Sequence, residues 1–293
     1  MATAEPYLPP SVGTLRTRVV FKVRRRRRSS AAIGDRVAIG LLVAITMMAF
    51  ATPLLAPYKP NLIAGDAFAR PSMHFLLGTD EVGRDILSRV LFGLRTSWFA
   101  SLEVIASGVT IGGGIGLVAG TAGGWIDDVL MRITDIFLAL PGPILAIAVV
   151  AALGPSLQHT LIAVAIVWWP FYSRIVRGEV KALAARPHVE AARLAGAGRV
   201  RLALRHLLPG AIPATVVTAS LDVGNLVLTL AILSFLGLGA PSPAPELGAM
   251  VARGLNYLLQ EWWVPIMPGL AVMFLAFVAN LAGDGIRDLL GMA

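Results

Sequence analysis

The 293-residue chain contains no cysteine. Disulfides, cysteine-ligated metals and thiol catalysis are therefore excluded. Charge is scarce as well: 14% of residues are Asp, Glu, Lys or Arg, against 56% hydrophobic, and the mean hydropathy is +0.75. A soluble chain of this length does not combine so few charges with so much apolar surface. Histidine is rare too. His74, His159, His188 and His206 lie far apart, without H-E-x-x-H or other metal-ligand spacing. No G-x-S-x-G elbow and no G-x-x-x-x-G-K-[ST] phosphate loop occurs. The chain offers no enzymatic site and no nucleotide cradle of its own.

What is present is a series of apolar runs, several long enough to cross a hydrocarbon core of roughly 30 Å. The net charge of +8 and pI of about 10.7 come from two basic clusters. One includes Arg16, Arg18, Lys22 and Arg24 to Arg28; the other lies between Arg174 and Arg205. Both flank apolar runs, which is a positive-inside pattern rather than a nucleic-acid face. Nucleic acid is not an expected partner; membrane lipid is. The Val37 to Ala56 run is too long for a signal-peptide core and reads as an uncleaved first span.

Along the chain, 1–35 reads as a basic tail on the cytoplasmic side, 36–56 as the first span and 57–95 as an extracytoplasmic segment broken by Pro60, Pro71, Gly78 and Gly83. Residues 96–293 read as a five-helix core. Its spans are expected near 97–122, 129–152, from about 157, 208–236 and 264–283. In the first of these, Gly108, Gly112, Gly116, Gly120 and Gly124 recur every fourth residue, a stripe for close helix packing. Gly114, Gly116 and Ala119 also match G-x-G-x-x-A, but inside a span and with no strand before them the match carries no weight. Trp168, Trp169 and Tyr172, ahead of Arg174 and Arg177, suggest the cytoplasmic headgroup level. The basic stretch 177–207 then forms a cytoplasmic loop, and 240–262 a second extracytoplasmic segment. About six spans place both termini in the cytoplasm, with both basic clusters inside.

Glu103, Asp135, Asp222 and Asp284 lie within or near spans, where an ionisable group is costly and faces protein or water. Asp222, with Asn225 beside it, is the deepest and marks the candidate polar lining of a pore. On the residues alone, these carboxylates are either structural contacts or a proton relay.

Four stretches carry a more specific signal. His74-Phe-Leu-Leu-Gly78-Thr79-Asp80-Glu-Val-Gly83-Arg84-Asp85-Ile-Leu-Ser88-Arg89 precedes the second span. Glu190-Ala191-Ala192, Arg193, Gly196 and Leu208-Pro209 mark the basic loop. Leu233-Ser-Phe-Leu-Gly-Leu-Gly239 and Gly283-Asp-Gly-Ile-Arg-Asp288 follow. In this order they resemble the permeases of the peptide/nickel branch of ABC importers, specifically the C-type subunit of dipeptide and oligopeptide importers. The resemblance covers about 35–293. It implies an all-α integral membrane protein of type I importer permease fold, with a peripheral N-terminal helix before the five-helix core.

It further implies that Glu190, Ala191, Ala192, Arg193, Gly196, Leu208 and Pro209 couple the pore to separate ATPase subunits. The implied partners are a homologous second permease, two cytoplasmic ATPases and an extracytoplasmic solute-binding protein. No cofactor is expected in this chain, since ATP and magnesium would sit on the ATPases. Small residues at 191, 192 and 195–197 would leave a thin helix able to enter a groove, and Glu190 would suit the start of a helix after Pro187. The chain departs from the family pattern at Gly198, His206 and Gly210, and at Leu230, where many relatives carry Glu. A proton-coupled transporter or a membrane scaffold would be the alternatives.

Overall fold

The computed structural model describes residues 28–290, so the tail before Arg28 and the last three residues lie outside it. Helix α1 spans Arg28–Leu55 and is followed by a stretch of turns. Helix α2, Ile86–Ser107, starts where the Asp85 carboxylate accepts the Ser88 amide at 2.8 Å, satisfying one of the free N–H groups of the first turn. A π turn at Gly108–Gly112 leads without a break into α3, Gly113–Ala122. Gly123 and Gly124, both with positive φ, reverse the chain into α4, Gly124–Leu138.

The span expected near 129–152, kink-prone at Pro141-Gly142-Pro143, is two helices. Helix α5, Gly142–Leu153, leaves α4 at an angle of 84°. Pro141 explains the corner, because a proline disfavours helical geometry at the residue before it. Helix α6, Leu157–Ala184, is capped by Ser156, whose hydroxyl accepts the His159 amide. It is followed by α7, Pro187–Leu194, and the short α8, Arg199–Leu202. A π turn at Ala203–Leu207 continues directly into α9, Leu208–Phe235. After a proline-rich turn come α10, Leu247–Gly254, and α11, Trp263–Leu289.

Four helical runs are long and apolar enough to cross a membrane singly: 86–122, 157–184, 199–235 and 263–289. The α4–α5 pair qualifies only if both arms count as one bent span, and the apolar part of α1, Ile39–Leu55, is shorter. The main core gathers where α2, α9 and α11 meet, with Trp98, Leu226 and Leu275 buried at its centre. Helix α1 packs on the outside of α2 and α11. A second, smaller apolar cluster lies at the end of the bundle that carries α7 and α8.

The opposite end is a polar cap built by the Gly78–Arg89 motif. The Thr79 hydroxyl donates to the Asp66 carbonyl and accepts the Ala69 amide, both at 2.7 Å. Asp80 accepts the amides of Val82 and Arg84 and pairs with the Arg84 guanidinium at 2.7 Å. Arg89 is 1% exposed and donates to the carbonyls of Pro60 at 2.8 Å, Pro243 at 3.2 Å and Ala244 at 3.4 Å. One guanidinium thus joins the segment after α1 to the proline-rich turn after α9. A buried charge is tolerable only with this many partners.

Candidate functional site

The basic loop is shorter than the expected 177–207. Helix α6 runs on to Ala184, and the 199–235 run has already begun at Arg199. Only 185–198 projects, with α7 as its body. No proline occurs between 177 and 184 and α6 runs through the single Gly178, while the π turn before Leu208 absorbs the missing N–H of Pro209.

Helix α7 is attached chiefly through Val189, with Ala192 of the same helix beside it. Val189 is fully buried against Val180, Leu183, Leu202 and Leu207, with Ala192 and Ala197 packed around them. Glu190 stands exposed in the first turn and Arg193 in the last, matching the helix dipole at both ends. Ala191 is exposed as well, Leu208 is half-buried and Pro209 is at the surface. Gly196 adopts φ +85° and ends the helix. Its amide donates to the Arg193 carbonyl, while the Ala197 amide reaches back to Ala192, both at 3.0 Å. This paired bonding around a left-handed residue is the Schellman stop. The outer surface of the projection, α8 and the following π turn carries Leu194 at 85%, Val200 at 72% and Leu204 at 57% exposure, interleaved with Arg193, Arg199, Arg201 and Arg205.

Four of the five stripe glycines face α6. A side chain at Gly108 would meet the Tyr172 ring at 2.9 Å, and one at Gly120 would meet Val180 at 2.7 Å. At Gly112 and Gly116 it would collide with the carbonyls of Trp169 and Ser173. Backbone approaches backbone here, as small-residue stripes allow. Gly124 does not belong to the stripe. It lies past the end of α3, with no atom near its missing Cβ, and serves the turn instead.

Nor do the aromatic residues of α6 mark a headgroup level. Tyr172 is fully buried midway along the helix, and its hydroxyl donates to Asp222 at 3.0 Å. Trp169 packs edge-on against Phe137 of α4. The basic residues that follow are engaged with α4 and are not free loop charges. Arg174 pairs with Asp135, while Arg177 and Lys181 both hold Asp127. Asp127 is the 4%-exposed hub of that cluster.

The candidate pore residues fall in one place. Asp222 sits in the middle of α9, 9% exposed, and Asn225 is exposed one turn on. Beside them a cavity of about 270 Å³ lies between α5, α6 and α9, walled by Pro143, Val167, Trp168, Phe171 and Thr229. Leu230 is buried in the apolar core and does not line this cavity. Glu103 borders a different hollow with Ser107 and Gln158.

One functional group escaped the sequence reading. Glu246, the residue before α10, is 6% exposed and accepts the Ala240 amide at 2.6 Å. Burial raises its carboxyl above the usual 4.5, against the opposing hydrogen bonds from Ser234 and Ala240. A Cβ at Gly239 would strike both Glu246 and Ser234. The Leu233–Gly239 motif is thus the socket for this carboxylate, and Gly237, with φ +80°, ends α9 ahead of it.

Residues 112–291 match the family model of the binding-protein-dependent transport system inner membrane component. The chain is 46% identical over 256 residues to the probable D,D-dipeptide transport system permease protein DdpC of Escherichia coli K12, covering 86% of this chain and 85% of that one. It is 41% identical over 266 residues to the di/tripeptide transport system permease protein DppC of Pseudomonas aeruginosa, covering 87% and 88%. It is 40% identical over 269 residues to the glutathione transport system permease protein GsiD of Pectobacterium atrosepticum, covering 91% and 88%. Its fold matches a chain of the methionine ABC transporter MetNI in an inward-facing conformation, with TM-score 0.57 and 21% identity over 70% of this chain and 97% of that one. The all-helical bundle with its bent α4–α5 pair is therefore a type I importer permease fold, and the chain belongs to the family of binding-protein-dependent transport system inner membrane components.

Proposed function

We propose that this chain is a pore subunit of an ATP-driven importer that passes di- or oligopeptides across the inner membrane by alternating access. A homologous second permease completes the pore, two cytoplasmic ATPases bind and hydrolyse ATP with magnesium, and an extracytoplasmic binding protein delivers the solute. Both termini and α7 face the cytoplasm, and the cap built around Arg89 faces the binding protein. Closure of the ATPases drives the paired coupling segments together and opens the pore outward; hydrolysis resets it.

The observation that carries this reading is the two-sided character of 185–198 and α8. One side is pinned to the bundle through Val189 and Leu202, and the other presents Leu194 and Val200 to solvent among arginines. Apolar side chains held out on a rigid basic projection have no use in a solvated loop. They suit a groove on another protein with an acidic rim. The permeases for dipeptides and glutathione among its relatives support the solute class.

A gradient-driven mechanism is less well supported. Asp135 is engaged by Arg174, and Glu103 and Asp222 border separate cavities, so the three carboxylates form no relay. The deciding experiment is mild-detergent purification from native membranes, mass spectrometry of the co-purifying chains, and dipeptide uptake in vesicles. Co-purified ATPases and ATP-dependent uptake are expected. Uptake by ATP-depleted vesicles under an imposed pH gradient would refute the reading.

A further inference from the structure

The cavity between α5, α6 and α9 holds a single charged group, and nothing of opposite sign accompanies it. Asp222 accepts a neutral hydroxyl from Tyr172, with Trp168 and Asn225 beside it, and among the described residues no cation pairs with it. Asp85 and Glu246 are also buried without an ion pair, but each is held by a backbone amide together with a serine hydroxyl, and two further buried carboxylates carry cations. Asp80 is held by Arg84 and Arg89, and Asp127 by Arg177 and Lys181. The remaining walls are mostly apolar and include the Trp168 and Phe171 rings. A carboxylate in such a place is costly unless a cation joins it.

We propose that Asp222 and the surrounding cavity form a subsite for the free ammonium end of the transported solute, with Asp222 as its counter-charge and the aromatic rings as its walls. This rests on the peptide reading above. An ammonium group fits better than a metal ion. A divalent cation of the calcium or magnesium class takes about six or more oxygen ligands, whereas the described residues contain no group of three metal-binding side chains. An ammonium needs one carboxylate and is also attracted by aromatic faces. The cavity, at about 270 Å³, accommodates the first residue of a peptide rather than a whole oligopeptide. One carboxylate also leaves binding weak enough for release, as a transport path requires.

The test uses the assembled importer in vesicles, with its ATPases and one binding protein throughout. Uptake of dialanine and of N-acetyl-dialanine is compared for wild type, Asp222→Asn and Asp222→Glu. The preference contributed by the binding protein cancels between variants. The dialanine/N-acetyl-dialanine ratio should fall about tenfold in Asp222→Asn, as expected on removing one partner of a close charge pair, and should largely recover in Asp222→Glu. An unchanged ratio, or a proportional loss of both solutes, overturns the subsite. Wild-type vesicles that import neither compound overturn the peptide reading instead.

A second measurement does not depend on the solute. Because the chain has no cysteine, Thr229→Cys places the chain's sole thiol on the cavity wall. Its modification by a cationic and by an anionic methanethiosulfonate is followed on this chain by mass. The cation/anion rate ratio should drop about tenfold when Asp222→Asn is added, since the carboxylate concentrates cations in a low-dielectric cleft. An unchanged ratio overturns the inference whatever the importer carries.

Discussion

Gly196 and Gly198 lie two residues apart in the coupling segment, and no atom stands within 4 Å of the Cβ that either lacks. They differ in backbone. Gly196 has φ +85°, whereas Gly198 has φ −68°, which any residue adopts. Alanine at 196 therefore meets no steric wall within this chain, yet forces an L-residue into left-handed geometry at a cost of about 1–2 kcal/mol. That shifts the balance between the formed and unformed Schellman stop by roughly 5- to 30-fold. Alanine at 198 should cost nothing and slightly restrict the unfolded chain. Asparagine at 196 tolerates the left-handed region better than alanine although it is larger.

The expected order of damage is thus Gly196→Ala, then Gly196→Asn, with Gly198→Ala silent. The readout is dipeptide uptake per ATP hydrolysed in reconstituted importer, together with hydrogen exchange of the Gly196 and Ala197 amides, which close the stop. If the glycine is needed only so that the segment stays thin inside a partner's groove, the order inverts and asparagine is worse than alanine. Equal exchange protection of Ala197 in wild type and Gly196→Ala would refute the backbone argument altogether.

Gly116→Ala drives a methyl group into the Ser173 carbonyl and should lower stability by about 1–3 kcal/mol, seen as a lower melting temperature in detergent. Gly114→Ala, with nothing within 4 Å, should leave the melt unchanged. Arg89→Met strands the carbonyls of Pro60, Pro243 and Ala244 and removes one cationic partner of Asp80. A loss of at least about 3 kcal/mol is expected, with easier proteolysis of 57–85, and Arg89→Lys should fall between because its ammonium lacks the planar fork. Glu246 has a folded-state pKa above its unfolded value, so its contribution is fully present below the unfolded value of 4.5 and is lost as pH rises through the folded value. Melting temperatures should rise as pH falls from about 7 toward 5, and Glu246→Gln should remove that component; the same slope in the variant would place the effect elsewhere.

Much of the architecture was legible because it rests on local signals. Apolar run length marked the spans, and Gly every fourth residue marked the face that meets α6. What the periodicity could not convey is partnership across the chain. Arg177 and Lys181 read as loop charges, and Arg174 as a charge at the headgroup level, until α4 brought Asp127 and Asp135 against them. Tyr172 looked interfacial because tyrosine favours interfaces, but Asp222, fifty residues away, supplied the partner that lets it be buried. Pro141 was readable as a kink and not as a bend of 84°, because packing on α6 decides where α5 lies. Glu246 had no motif of its own; its only trace was Gly239, a glycine that makes room for it.

These long-range ties also bear on how motion at α7 reaches the cavity. Helices α6 and α9 are joined at three levels. Near the cap the Thr160 hydroxyl donates at 2.7 Å to the carbonyl of Leu238, in the turn just past the end of α9. Midway Tyr172 donates to Asp222, and at the far end Leu183 and Ala211 share one apolar cluster. Val189 enters that same cluster. On the proposed mechanism, a push on α7 is therefore delivered to α6 and α9 together, and close-packed helices transmit it with little internal give. The α4–α5 corner is tied to α6, α4 through charge pairs and the Phe137–Trp169 contact and α5 through helix packing, and the 84° bend between them lies beside the cavity. Relative movement between the paired helices and this corner changes the walls around Asp222 without unpairing α6 from α9. Loosening the stop at Gly196 should accordingly speed hydrogen exchange in α7 and its turn while leaving the Tyr172 and Asp222 regions protected; faster exchange at all three would mean that the helices do not move as one.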